Sequence, residues 1–217
     1  MALPSRFTVE PIFAGMDVVV CAGGPSFSLK QVRTIARARL APGSKVRIIA
    51  VNDAVYPLFG VADWLHACDG EWFFEHIQTA HTFPGIKTTL CETIPEPWVT
   101  GYLENSGSAG FDPDPSRCRT GANSAYQAMH IAIHACAKRI ILVGVDMRKS
   151  SAGERHWFGD HAGMLPAAEI DYKVFMAPYF ETLKPALSER GIEVVNCSPG
   201  SALESFPMGD LETVLRR

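Results

Sequence analysis

Apolar residues along this chain fall into short runs separated by stretches of helical spacing. Met16–Ala22, Val46–Val51, Ala62–Cys68, Ile86–Cys91, Ile140–Val143 and Ile192–Cys197 have strand length, and most are rich in β-branched residues. Ile140–Val143, continuously apolar and bounded by Gly144, reads as a buried, parallel strand. Leu29, Val32, Ile35, Ala36 and Leu40 recur at helical spacing after the first run. Glu71–Gln78 predicts a short aromatic helix, and the Ala-rich Thr120–Ala137 a helix packed on the sheet. Ala167–Arg190 is periodic through Ile170, Val174, Tyr179, Leu183 and Leu187, with Pro178 and Pro185 kinking or dividing it. The alternation predicts an α/β fold: a single Rossmann-like three-layer domain over residues 1–217, its central sheet mostly parallel, with about six or seven strands. Residues 92–118, rich in Pro, Gly, Ser and Asp, read as an irregular flap with a short strand at Trp98–Leu103, and residues 147–164 as a lid.

The polar residues cluster where these strands end. Gly23-Gly24-Pro25-Ser26 follows the first strand, Asn52-Asp53 the second, Asp69-Gly70 the third, and Asp146 follows Ile140–Val143. In open α/β sheets this carboxyl edge is where ligands bind. Two glycines let backbone approach a ligand closely, and the Ser26 hydroxyl with the free N–H groups of a helix start can hold a phosphate. A tight turn with Ser26 as helix cap is the plainer alternative. The turn is neither the G-x-G-x-x-G of dinucleotide-binding folds nor a P-loop. Asn52 can bond a base or sugar, or simply cap the next helix. The loop after Asp146 is polar and Gly-containing and returns with His156, Trp157, Gly159, Asp160 and His161. A strand end, a mobile lid and two histidines near a carboxylate make a candidate reaction site; a capped strand with surface histidines is the alternative. His130 and His134 lie four apart on one helix face, but HExxH is absent, so packing is expected over metal binding.

Composition narrows the class. A 47% hydrophobic and 20% charged chain of 217 residues is an ordinary globular one, and a net charge of −3 gives no basic footprint for nucleic acid. Six cysteines without a CxxC pair point to free thiols in a reducing cytosol rather than to a zinc site. The N-terminal stretch lacks the pattern of a signal peptide, and no apolar run reaches the roughly 20 residues that span a bilayer. A cytoplasmic protein without a transmembrane segment is expected; a homo-oligomer is allowed.

Several fragments in order, VVVCAGGPSFSL, IAVNDAVY, CDG, RTGANSAYQAMHIAIHACAKRIILVGVDM, ERHWFGDH and IEVVNCSPGSALESF, resemble the bacterial CMP-sialic-acid-dependent sialyltransferases of lipooligosaccharide synthesis. They also resemble the broader group that includes 6-hydroxymethylpterin pyrophosphokinase-like proteins. The resemblance implies that Gly23, Gly24 and Ser26 stand at the nucleotide-binding turn, with Gly23 in place of the family's asparagine. It implies that Asn52 holds the nucleotide, that Asp69 stands where the family has an asparagine or aspartate, and that Asn123 and Ser124 replace a Thr-Ser pair at a helix start. His156 matches the family's general base. Arg148 replaces a tyrosine that stabilises the leaving phosphate, a task an arginine can also perform.

Three functions follow. The first is a metal-independent glycosyltransferase using a nucleotide-activated sugar of the CMP type. In it His156 is the base, Arg148 or Arg119 neutralises the phosphate, Asp146 lies at the reacting edge, and no cofactor beyond the donor is required; the acceptor is left open. The second is pyrophosphoryl transfer from ATP, with Mg²⁺ held by Asp69 and Asp146. The third is a nucleotide-binding or assembly protein without catalysis.

Overall fold

The computed structural model describes residues 2–159 and 172–216. Its elements in chain order are β1 (Asp17–Cys21), α1 (Leu29–Leu40), β2 (Val46–Val51), α2 (Val55–Leu58), β3 (Trp64–His66), α3 (Gly70–Glu75), α4 (Ile77–Thr82), β4 (Ile86–Thr89), β5 (Gly101–Tyr102), β6 (Glu104–Asn105), β7 (Arg117–Cys118), α5 (Ser124–His134), β8 (Arg139–Val143), α6 (Tyr172–Phe175), α7 (Ala177–Glu181), α8 (Lys184–Glu189), β9 (Glu193–Asn196) and α9 (Leu211–Leu215). The fold is α/β, with a seven-stranded sheet of order β5-β4-β3-β2-β1-β8-β9. Every pairing in that sheet is parallel. The β6–β7 pair stands apart from it.

The continuous apolar runs are explained by two cores. Val18, Val20, Ile49, Val51, Ile140 and Leu142 point to one face, where α5 and Phe180, Leu183 and Leu187 cover them. Their neighbours Val19, Cys21, Ile48, Ala50, Ile141 and Val143 point to the other, under Val32 and Ile35 of α1 and Leu211 and Val214 of α9. Successive strand residues alternate between faces, so a strand covered twice must be apolar throughout.

Local chemistry moved several expected boundaries. The helix expected from Thr120 starts at Ser124, because Gly121 and Ala122 take φ of 54° and 50°. Asn123 then caps it, its side chain accepting from the Ala125 and Tyr126 amides. The helix expected over 167–190 is divided: Pro178 and Pro185 sit in the first turns of α7 and α8, the position proline tolerates. The part of that expectation before Tyr172 lies outside the described residues. Residues 92–118 contribute β5 to the sheet edge and the β6–β7 pair. Among the described residues no helix is long and apolar enough to cross a membrane.

Histidines fill the core beside α5. His66 is fully buried, its Nε2 2.8 Å from Gln127 Oε1 and its Nδ1 3.0 Å from Thr88 Oγ1. His130 and His134 both pack on Phe111, at centroid distances of 4.6 Å, and His130 Nε2 accepts from the Asp112 amide. Removal from water pushes the His66 and His134 imidazoles down to about 4 and that of His130 to about 3. All three fold neutral, whereas an unfolded histidine titrates near about 6.5. The stabilisation is therefore complete above about pH 6.5 and is lost as pH falls toward about 4. The urea midpoint should fall through that window. His130→Leu should lower stability at neutral pH yet make the acid slope shallower; an unchanged slope would contradict this assignment.

Candidate functional site

A cleft of about 260 Å³ opens over the carboxyl ends of β1, β2 and β8 and the start of α5. This is where the strand order reverses: from β1 the chain runs outward through β2 to β5, then crosses back to β8 on the other side. Of the residues expected at the site, Gly23, Gly24, Asn52, Asn123, Ser124, Asp146, Arg148 and His156 line this one cleft.

Its floor is the close approach of two strand ends. The Gly24 amide donates to the Gly144 carbonyl at 2.9 Å. A Cβ on Gly24 would stand 2.1 Å from Asp146 Oδ2 and 2.5 Å from the Gly144 carbonyl oxygen. One on Gly144, whose φ is 70°, would stand 2.2 Å from the Ala22 carbonyl oxygen. Asp146 is 2% exposed, and its Oδ2 accepts from the Ser26 hydroxyl at 3.0 Å and amide at 3.3 Å. Burial pushes this carboxyl up, against the pull of Ser26 and Arg148. The turn after β9 clamps the strand end from behind. Ser198 Oγ accepts from the Val145 amide, the Ser201 hydroxyl donates to the Val145 carbonyl, and the Ala202 amide donates to the Asp146 carbonyl.

The next strand delivers Asn52 in a left-handed conformation, φ 49°, with its side-chain oxygen buried and without a hydrogen-bond partner. Asp53 braces that turn: its Oδ1 accepts from Trp72 Nε1 at 2.7 Å and lies 3.5 Å from His76 Nε2. Ala122 and Met147, at φ 50° and 49°, line the same cleft. Among the described residues, three of the four non-glycine positions with positive φ therefore surround it. Left-handed backbone in such residues is costly and concentrates at functional sites.

The loop beyond Asp146 folds across the glycine turn. The Trp157 amide donates to the Gly23 carbonyl at 3.1 Å, and the Trp157 ring meets Phe27 edge-on at 5.8 Å. His156 thereby faces Gly23, its Nδ1 3.5 Å from where a Cβ would stand, and stacks on Phe158 at 5.2 Å. Arg148 is exposed at the rim, its Nε donating to the Gly200 carbonyl. Arg155, Tyr172 and Met176 complete the wall. None of the three stands out in the sequence, although Arg155 directly precedes His156.

Three expected residues, Ser26, Asp69 and Arg119, are not in the cleft, and the Arg119 guanidinium donates instead to the Ala109 carbonyl. The Ser26 hydroxyl goes to Asp146, and Ser26 lines a separate groove between α1 and α9. The start of α1 is closed by a reciprocal cap between Ser28 and Gln31. The helix start that reaches the cleft is instead that of α5. Asp69 precedes α3 and does not line the cleft, nor does any residue of 92–118. Asp160 and His161 lie outside the described residues. Among the described residues, no three His, Cys, Asp or Glu side chains are grouped to hold a metal ion.

The glycine geometry separates two neighbours. Gly24→Ala should lower stability by about 1–3 kcal/mol, because Asp146 and the Gly144 backbone must move. Gly23→Ala meets only ordinary van der Waals contacts and should stay within about 0.5 kcal/mol of the parent. Denaturant midpoints measure both, and equal losses would contradict the packing described. The chain matches no protein-family model and no curated protein, so the reading of the cleft rests on its residues and geometry.

Proposed function

We propose that the protein is a metal-independent glycosyltransferase whose donor is a nucleotide-activated sugar of the CMP type. The observation that carries this reading is the placing of His156 across Gly23, in a cleft that also offers the α5 N-terminus, Arg148 and Arg155. In this scheme the nucleotide lies over Gly23 and Gly24 between Asn52 and the Asn123–Ser124 helix start. Neutral imidazole takes the proton of an acceptor hydroxyl. The acceptor oxygen bonds the anomeric carbon as its bond to the phosphate oxygen breaks, and the phosphate leaves with the bonding electrons. Arg148, Arg155 and the positive end of α5 oppose the charge that develops there.

The test combines binding and turnover. CMP without metal should raise the melting temperature more than UDP, GDP or ATP, since a ligand of the native state stabilises it by mass action. Release of CMP from a CMP-sugar should fall about 10²–10⁴-fold in His156→Ala with CMP binding retained. Stabilisation by ATP only with Mg²⁺ would point to pyrophosphoryl transfer instead. A fully active His156→Ala protein would remove the base assignment.

A further inference from the structure

Asp146 has two oxygens in different circumstances. Oδ2 is held by the Ser26 amide and hydroxyl, whereas Oδ1 is buried at the cleft wall without a hydrogen-bond partner. Buried acceptors without donors are rare in folded proteins and cost stability. Here the carboxylate cannot turn away: Gly24 is pressed against Oδ2, and the backbone on either side is clamped by Ser198, Ser201 and Ala202. A group this firmly placed with one oxygen unused calls for a donor from a ligand.

We propose that Asp146 Oδ1 accepts a ribose hydroxyl of the bound nucleotide and makes the cleft selective for ribonucleotides over deoxyribonucleotides. The proposal rests on the nucleotide reading of the cleft. Phosphate is excluded as the partner, because one anion would face another in a site shielded from water. In this scheme the base lies at Asn52 and the sugar at Asp146. Asn52, whose own Oδ1 lacks a donor, follows β2, and Asp146 follows β8, with β1 between them. Adjacent strands lie about 4.8 Å apart, so the two strand ends are separated by roughly 10 Å at the backbone. Both residues line the one cleft, and that separation is of the order of a nucleoside's length. A base amine at Asn52 therefore sets the ribose beside Asp146. Phosphate then extends toward His156, Arg148 and Arg155.

The experiment is calorimetric titration with CMP, UMP, GMP and AMP and their 2′-deoxy and 3′-deoxy forms, with and without Mg²⁺. In the wild type the ribonucleotide that binds should do so about 10- to 100-fold more tightly than one of its deoxy forms, the size of a hydrogen bond to a charged group. In Asp146→Asn, which keeps a partner for Ser26 but replaces the anion with a neutral amide, that ratio should fall toward one. The wild-type ratio needs no substitution and stands even if the variant unfolds. Equal binding of ribo and deoxy forms would overturn the proposal and leave the nucleotide reading intact. A preference that persists in folded Asp146→Asn would also overturn it. So would an affinity that Mg²⁺ raises in the wild type alone, which would make Asp146 a metal ligand. If none of the ribonucleotides binds, both readings fall together.

Discussion

The space between the ends of β1 and β8 admits no side chain at two positions. A Cβ at Gly24 would stand 2.1 Å from a carboxylate oxygen and one at Gly144 2.2 Å from a carbonyl oxygen, both far inside van der Waals contact. This tight contact brings the Asp146 carboxylate against the first turn and lets Ser26 reach it from 120 residues away in the chain. It also brings the loop after Asp146 back over Gly23, where Trp157 is hydrogen-bonded to the Gly23 carbonyl. The catalytic arrangement proposed here exists only because those two strand ends touch. The two apolar cores hold them there from both faces of the sheet.

The cleft is built at a cost in stability that the cores offset. Asn52, Ala122 and Met147 are held in left-handed backbone, each at about 1–3 kcal/mol. Asn52 and Asp146 each bury an oxygen with no donor. Elsewhere, buried polar groups pair with one another in the His66–Gln127–Thr88 cluster and the Asp53–Trp72 bond. Left-handed backbone gathered around one cleft, at three of the four such non-glycine positions among the described residues, distinguishes a binding site from a casual gap in packing.

The fold was legible because the central strands, at Val18–Cys21, Ile48–Val51 and Ile140–Val143, are apolar on both faces. The carboxyl edge was legible for a related reason: polar residues and glycines break in abruptly where each run stops, as at Gly23, Asn52 and Asp146. What escaped was pairing over long range. A Gly-Pro-Ser turn before a helix looks the same whether its hydroxyl meets a phosphate or a distant carboxylate, so the bond from the Ser26 hydroxyl to Asp146 carries no local signal. Asp69 ends a strand as Asn52 does, but β3 lies one strand further from the reversal point, beyond the reach of the cleft. Arg155 and Met176 carry no local signal; they reach the wall through the loop after β8 and the turn between α6 and α7. The two-residue strands β5, β6 and β7 are too short to show a period.

The central claim is that a nucleotide occupies the cleft at the β1–β8 reversal. A crystal structure of the protein with CMP examines this most directly. Electron density for the nucleotide is expected over Gly23 and Gly24, with the base at Asn52, the ribose beside Asp146 and the phosphate facing His156 and the start of α5. A nucleotide seated instead in the groove between α1 and α9, or bound with its phosphate turned away from His156, would contradict it.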